Sequence, residues 1–343
     1  MVQRPSFLTE FSLTSIRWVP KGLCFMNNQT YGEKLKQGLT VGIGKGWRGF
    51  VWMMKIIAPV SFLTALLAWS GWMEQIDFVI RPVMGFLSLP DIAALPLLIG
   101  LLTGIYGGIA AMAVLPLTVG QMTLIAVFLL IAHNLIQEGI VQGKSGIGII
   151  KATLFRITLA VIAVLIIAPF VGTTGPGTSG TAGTAAAALH ASQAFGEMVI
   201  QWGQVMGGLA VKIFFIILCV LTVLELLKVL GLIDHIVRFL SPLLRIMGLS
   251  EKVAILWIAA ALFGLAYGGA VIVEEAGKAD LTDEELESLH LSIGINHAMI
   301  EDPALFLTFG INLFWLWIPR LVLAMVAVRV LALWRRFRRL KKY

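Results

Sequence analysis

The sequence predicts an all-α integral membrane protein, and three observations support this fold class. Hydrophobic residues make up 58% of the chain and charged residues only 13%, whereas soluble domains carry about 25% charged residues. The stretches 92–137, 157–195 and 303–319 contain no Asp, Glu, Lys or Arg, and a spanning helix needs roughly 20 mostly apolar residues. The apolar stretches lack the period-2 alternation of membrane strands, so their backbone polar groups must pair within helices.

The positive charge is distributed as in a membrane protein. The net charge is +7, and the basic residues cluster at the ends of apolar segments and in the tail 335–343. This pattern fits the positive-inside bias and contact with anionic headgroups, so the lipid bilayer is the expected partner and nucleic acid is not. The two cysteines are too few for a disulfide or metal framework.

An internal duplication organises the chain. The segment 132–139 aligns with 296–303, and the glycine-rich segment 103–108 aligns with 264–269. Arg156 and Arg320 follow at equivalent places near the start of the last apolar segment of each half. The predicted divisions are a cytoplasmic N-terminal segment 1–44, a first repeat 45–172, an external Gly/Thr/Ala-rich linker 173–196, a second repeat 197–334 and a basic cytoplasmic tail 335–343.

Charge also predicts topology. The basic N-terminal approach and tail are expected in the cytoplasm and the uncharged linker outside, in a bacterial-type inner membrane. Each half then crosses an odd number of times, about three, which makes the two repeats inverted. Amphipathic interfacial helices are expected near 73–88 and 233–247, and the acidic stretch 274–287 is expected outside. We also expect Met26 to be the start of the native chain, or 1–25 to be disordered.

The duplicated histidine motif is the candidate site. His133 and His297 each have a carboxylate within about one helical turn, and Gly139 and Pro303 are expected to end or bend a short helix at matched positions. Ionisable groups at membrane depth are costly and indicate function, although two buried structural histidines are the alternative. The predicted substrate- or ion-binding residues are His133, Asn134, Gln137, Glu138, Asn296, His297, Glu301 and Asp302.

Other residues could complete a pocket. Tyr106, Gly107 and Gly108, with Tyr267, Gly268 and Gly269, fit either close helix packing or a broken helix whose backbone faces a ligand. Arg156 and Arg320 are expected to anchor helix ends at the interface, with buried ion pairs to Glu138 and Glu301 as the alternative. No metal site is assigned, but His133, His297 and Glu301 would be the ligands of one. No motif of a hydrolase, metalloprotease or P-loop enzyme occurs, so we expect no catalysis and no cofactor.

These motifs resemble the nucleoside-recognition, or Gate-domain, membrane proteins. The resemblance rests on Gly104…Tyr106-Gly107-Gly108, on Gly264…Tyr267-Gly268-Gly269, and on His297…Glu301-Asp302-Pro303 leading to Pro319-Arg320. That family is similar to spore-maturation membrane proteins and, remotely, to the cores of concentrative nucleoside transporters and ferrous-iron permeases. The resemblance implies paired Gate units with re-entrant hairpins.

The predicted function is therefore transport of a small solute, nucleoside-like by resemblance, coupled to protons or another cation. Two alternatives stay open: a divalent-metal transporter that uses the histidine and carboxylate motifs, and a non-transporting component that binds a lipid or a partner protein. A homodimer is possible. In the transport hypothesis, Glu301→Gln abolishes transport and leaves the protein folded.

Overall fold

A computed structural model describes residues 30–71, 82–172, 194–250, 253–254, 256–262, 264, 272 and 281–340. These residues form helices, turns and short connections, and none of them lies in a strand. The predicted all-α fold class is confirmed. The helices are α1 Tyr31–Trp69, α2 Ala94–Thr103, α3 Ile105–Met112, α4 Val119–Ala132, α5 Leu135–Lys144, α6 Ile149–Ile167, α7 Phe195–Val229, α8 Ile233–Met247, α9 Asp283–Asn296, α10 Glu301–Phe306 and α11 Leu313–Leu340, with 3₁₀ turns at Asp91–Ala93 and Leu307–Phe309.

Five segments of the described chain are long and apolar enough to cross a membrane. They are α1, α4 with α5, α6, α7 and α11. Large apolar side chains cover the outside of these helices, as a lipid-facing surface requires. Examples are Trp52, Leu63, Ile150, Phe215 and Val322, each more than two-fifths exposed.

The first helices of the two halves pack against each other in antiparallel directions. Gly38, Gly42 and Gly46 recur every fourth residue on α1 and lie against α7. A Cβ added at Gly42 would stand 2.7 Å from the Thr222 Cα, so only glycine allows this approach. An ion pair between Lys45 and Glu225, with 2.5 Å between Nζ and Oε2, lies beside these glycines.

Side-chain contacts define two opposite faces of the bundle. At the linker face, Trp69 of α1 meets Phe195 of α7, and Phe170 after α6 stacks on Trp315 of α11. At the tail face, the end of α11 meets the start of α9. The tail-face ion pairs are Arg335–Glu287, Lys151–Glu287 and Arg339–Glu284.

The tail face corrects one topology prediction. Glu284 and Glu287 belong to the acidic stretch expected outside, yet they pair with Arg339 and Arg335 beside the basic tail. The described part of that stretch, 281–287, therefore lies on the same side as the tail. The prediction from the charge pattern is wrong because acidic residues contribute little to membrane orientation. Here their side chains lie where they form ion pairs with the basic residues of the tail face.

Several predictions about organisation can be compared with the helices. α1 begins at Tyr31 and α7 at Phe195, so the boundaries at 45 and 197 fall inside helices. The helix expected near 233–247 is present as α8, whereas 72–81 of its counterpart lie outside the described residues. The positions 1–29, 173–193 and 341–343 also lie outside them, including Met26 and most of the linker. The inverted relation of the repeats stays a prediction.

Candidate functional site

One broken helix in each half builds the site. In the first half it consists of α4 and α5, and in the second half of α9 and α10. α4 ends at His133, whose backbone is extended, and Asn134 turns the chain with a positive φ of 47° before α5 begins. The second half repeats this at His297 and Ala298, where φ of Ala298 is 46°. In both cases the residue after the histidine bonds to a neighbouring helical segment. Asn134 N–H donates to Gly100 O at 3.0 Å, and Ala298 N–H donates to Ala260 O at 3.1 Å.

The breaks change the predicted geometry of the motif. His133 and His297 cap the C-terminal ends of α4 and α9, so they are not on one continuous helix with the residues that follow them. Gly139 lies inside α5, and Pro303 lies in the first turn of α10, where proline is tolerated. Neither residue ends a helix as predicted. The carboxylates therefore occupy helix N-termini, where the helix dipole favours negative charge.

A buried arginine supports each break in the same way. Arg156 donates from Nε to Ile131 O at 2.8 Å and from Nη2 to His133 O at 3.0 Å. Arg320 donates from Nε to Ile295 O at 2.9 Å and from Nη2 to His297 O at 3.1 Å. These oxygens belong to the last turns of α4 and α9 and have no partner within the helix. The predicted interfacial anchoring of both arginines is wrong, because each is at most 1% exposed.

The two histidines meet at the centre, although 164 residues separate them. Their Nε2 atoms are 3.4 Å apart. Glu138 Oε1 lies 2.9 Å from His133 Nε2 and 3.3 Å from His297 Nε2. Asp302 Oδ2 is 3.8 Å from His133 Nε2. All four residues are buried, so the site joins both halves of the chain away from solvent.

Hydrogen bonding fixes the chemical character of this centre. His133 Nδ1 is 2.7 Å from Leu129 O, and His297 Nδ1 is 3.0 Å from Ile293 O. A carbonyl oxygen only accepts, so each Nδ1 carries a hydrogen and donates it. In the neutral rings both Nε2 atoms are then bare acceptors, and they face carboxylate oxygens, which are also acceptors when ionised. Lone pairs of the two Nε2 atoms and of the carboxylate oxygens therefore face one another at the centre. A proton or another cation shared among them would compensate their mutual repulsion.

The carboxylates of the two halves have different partners. Glu138 Oε2 lies 2.6 Å from Arg156 Nη2 in a buried ion pair. This is the Arg156–Glu138 pair that the alternative prediction named. Arg320 has a buried Nη1 with no hydrogen-bond partner in the structure as described, and Glu301 bonds to Tyr106 instead, through Tyr106 Oη at 3.0 Å. The predicted pair of Arg320 with Glu301 is therefore not formed.

The other predicted site residues divide into two groups. Asn296 is fully buried beside His297, and neither polar atom of its side chain has a partner in the described structure. Asn134 instead donates from Nδ2 to Gln137 Oε1 at 3.0 Å, and Gln137 is exposed, so this pair points away from the centre. The structure thus brings together His133, Glu138, His297 and Asp302, with Glu301 and Tyr106 adjacent.

The glycine pair of the first half serves packing. Gly107 and Gly108 lie inside α3, and a Cβ on Gly108 would meet Leu129 Cδ1 at 2.4 Å. The backbone break lies earlier, at Gly104, where φ is 101°. Tyr267, Gly268 and Gly269 fall outside the described residues, although Gly264, the counterpart of Gly104, shows a positive φ of 81°.

A second buried polar cluster was missed by sequence reasoning. His290 of α9 contacts Ser145 O through Nε2 at 2.7 Å, and Gln142 of α5 donates from Nε2 to His290 O at 3.0 Å. A signal was present, because His290 precedes His297 by seven residues, two helical turns, on the same helix face.

The helices and the centre together define an α-helical membrane protein whose two halves meet at a buried histidine–carboxylate site. The chain is similar to the uncharacterized membrane protein YvoD of Bacillus subtilis (strain 168), with 27% identity over 306 residues that cover 89% of this chain and 97% of that protein. No family model and no solved structure matches the chain. Membership of the nucleoside-recognition family therefore stays a prediction.

Proposed function

We propose that the protein is a multi-pass membrane transporter whose buried centre binds a cation and couples it to the movement of a small solute. The observation that carries this proposal is the convergence of two bare histidine nitrogens on one carboxylate oxygen, within 3.4 Å of one another. Such a set of acceptors is stable only when a proton or another cation lies among them. A transporter needs a site of this kind, which binds and releases a charge away from water.

Charge balance supports binding of one positive charge. Glu138, Glu301 and Asp302 supply three negative charges, while Arg156 and Arg320 supply two positive ones. The difference leaves one negative charge when both histidines are neutral. Uncompensated charge is costly in a buried site, so an added proton or cation would neutralise the centre. Histidine carries protons readily near physiological pH, which makes a proton the natural coupling ion.

The helix architecture also supports transport. Helices interrupted near the middle of a bundle, with ion-binding groups at the interruptions, are a common plan of secondary transporters. In this chain both interruptions fall at matched histidines, and the tail and linker faces lie on either side of them. A cavity of about 250 Å³ opens near the linker face between α1, α7 and 113–116, and includes Gln201 and Trp202 in its walls. It offers space for a small organic molecule on the linker side of the protein.

A second candidate function is transport of a divalent transition metal as the cargo. One ligand atom from each of His133, His297 and Asp302 lies within 4.8 Å of the others. Imidazole and carboxylate together suit several first-row metals. Both histidines also donate Nδ1–H to a carbonyl, as metal-binding histidines commonly do. These observations favour Asp302 rather than the predicted Glu301 as the third ligand.

Thermal unfolding with a ligand panel tests both candidates. The purified protein would be unfolded with nucleosides, nucleobases or divalent metals at two pH values. A ligand that binds only the folded form, at 100 times its dissociation constant, stabilises by about 2.7 kcal/mol. We expect a shift with one class, followed by uptake of the same ligand into vesicles that contain the protein.

The variants Asp302→Asn and Gln137→Ala distinguish the centre from other sites. Asp302→Asn should remove both the shift and the uptake, whereas Gln137→Ala, on the exposed side of α5, should leave both intact. Absence of a shift with every compound, together with absence of uptake, would contradict transport and would favour binding of a lipid or a partner protein.

A further inference from the structure

The cluster of His290, Gln142 and Ser145 lies between the centre and the tail face. Glu138 and Gln142 are one helical turn apart on α5, and His290 and His297 are two turns apart on α9. Glu287, which pairs with Lys151 and Arg335 at the tail face, is one turn before His290. Polar side chains therefore follow one another along α5 and α9 from the tail face to the centre.

The cluster contains two buried acceptors without donors. His290 Nε2 donates to Ser145 O, so the neutral ring leaves Nδ1 as an acceptor, and this atom has no partner in the described structure. Gln142 Oε1 is likewise buried and without a partner there. His290 is fully buried and Gln142 is 1% exposed. Buried polar atoms are almost always paired with protein or water, because an unpaired buried group loses its hydration without compensation.

A glycine above the cluster brings the side chains of α5 and α6 close to α9. Gly294 lies on α9 between His290 and His297, and a Cβ there would stand 3.2 Å from Gln142 Nε2 and 3.5 Å from Arg156 Cγ. The absence of a side chain lets Gln142 and Arg156 reach α9. Arg156 in turn bonds to Glu138 at the centre. The side chains of Gln142 and Arg156 therefore lie against α9 between His290 and the cation site.

We propose that His290, Gln142 and Ser145 hold a buried water molecule and form the route by which a proton reaches the centre from the tail face. This inference rests on the proposed function for its purpose. The water would donate to His290 Nδ1 and Gln142 Oε1 and satisfy both acceptors. A proton from this water would bind His290 Nδ1, return to the water from the same atom, and pass from the water toward Glu138, the carboxylate one helical turn from Gln142 on α5, while Nε2–H stays bonded to Ser145 O.

Water access along this route can be measured by cysteine reactivity. Ser145→Cys and Gln142→Cys would be made in a chain in which Cys24 and Cys219, its two cysteines, are replaced by serine. Ser292→Cys is the matched control, because Ser292 is fully buried on α9 and bonds to Trp257 Nε1 at 2.8 Å. Replacing serine by cysteine changes one atom, so both serine variants should fold. The probe is a small charged methanethiosulfonate, added to either side of sealed vesicles.

The expected result is that the thiols of the Ser145→Cys and Gln142→Cys variants react roughly tenfold or more faster than the thiol of Ser292→Cys, and only from the tail-face side, since thiol reactivity requires access to water. A Gln142→Cys variant that reacts no faster than Ser292→Cys would overturn the proposal, even if Ser145→Cys at the outer end is reactive. Equal reactivity from both faces would also overturn it. The measurement needs no solute, so a protein that failed to transport in vesicles could still show this route.

Discussion

The two halves of the centre share one backbone design but use their carboxylates differently. In the first half, Glu138 forms an ion pair with Arg156, and its other oxygen lies 2.9 Å from His133 Nε2. In the second half, Asp302 occupies the matched position, and its nearest described ion contact is the histidine of the other half, at 3.8 Å. Aspartate is one methylene shorter than glutamate. The backbone is similar in the two halves, so the difference in side-chain length explains why Glu138 is held in an ion pair with Arg156. It also explains why Asp302 remains available to another partner, such as a cation.

The arginines show the same contrast. Both support the ends of broken helices through two carbonyl oxygens that are equivalent in the repeats. Arg156 also forms an ion pair with Glu138, whereas Arg320 keeps a buried Nη1 without a hydrogen-bond partner in the described part of the chain. In the proposed function, we therefore expect the Arg156–Glu138 pair to have the more structural role and Asp302 to be the carboxylate that responds to a bound cation.

The largest expected difference is in stability between Glu138→Gln and Asp302→Asn. Removing one partner of a buried ion pair commonly costs about 3–5 kcal/mol, because the other charge is left uncompensated. Glu138→Gln should therefore lower the free energy of unfolding by about 3 kcal/mol. Asp302→Asn should cost less than about 1 kcal/mol, the range typical of a neutral hydrogen bond. Reversible unfolding in detergent would measure both, and equal losses would contradict the assigned difference between the two carboxylates.

A second difference is expected between the first helices of the two halves. Gly42→Ala on α1 would place a Cβ 2.7 Å from Thr222 Cα on α7, and overpacking of this kind costs about 1–3 kcal/mol. Gly207 on α7 has open space around its Cβ position, so Gly207→Ala should be neutral or stabilising by up to about 1 kcal/mol. Melting temperatures of the two variants test this, and a destabilised Gly207→Ala would show that α7 has a further partner.

The smallest expected effects concern the two turns at the histidines. Asn134 and Ala298 both have positive φ, and asparagine tolerates this conformation better than alanine does. Ala298→Gly should therefore stabilise the protein by about 0.5–1 kcal/mol, while Asn134→Gly should change it by less. Unfolding measurements under matched conditions compare the two, and a loss of stability in Ala298→Gly would contradict the described backbone.

The helical membrane fold and the matched motifs could be predicted because they depend on local composition and repetition. Apolar stretches free of charge define the helices, and the repeats of His133 and Arg156 are visible as His297 and Arg320. The meeting of the two histidines could not be predicted, because it depends on two chain breaks and on contacts between distant helices. Gly104 and Asn134 are compatible with such breaks, but neither residue type requires one.

The errors have physical reasons as well. A regular i, i+4 spacing predicted that each histidine shares a helix face with the fourth residue after it, yet the helix ends at the histidine itself. The sequence predicts that the arginines lie at the membrane interface, because it does not show the free carbonyl oxygens that they bind. The acidic residues of 281–287 lie at the tail face because their basic partners on α6 and α11 are brought there by folding.

Nitrogen NMR of the histidine side chains shows whether His133 and His297 share one cation. The protein would be labelled with ¹⁵N-histidine, and signals would be assigned with single His→Gln variants. We predict that, without added cations at alkaline pH, His133 and His297 are both protonated at Nδ1 and bare at Nε2. Acidification, or addition of a divalent metal, should then shift both Nε2 signals together, because the two nitrogens share one cation. Hydrogens on Nε2, or Nε2 signals that respond independently, would contradict a shared cation site between the two halves.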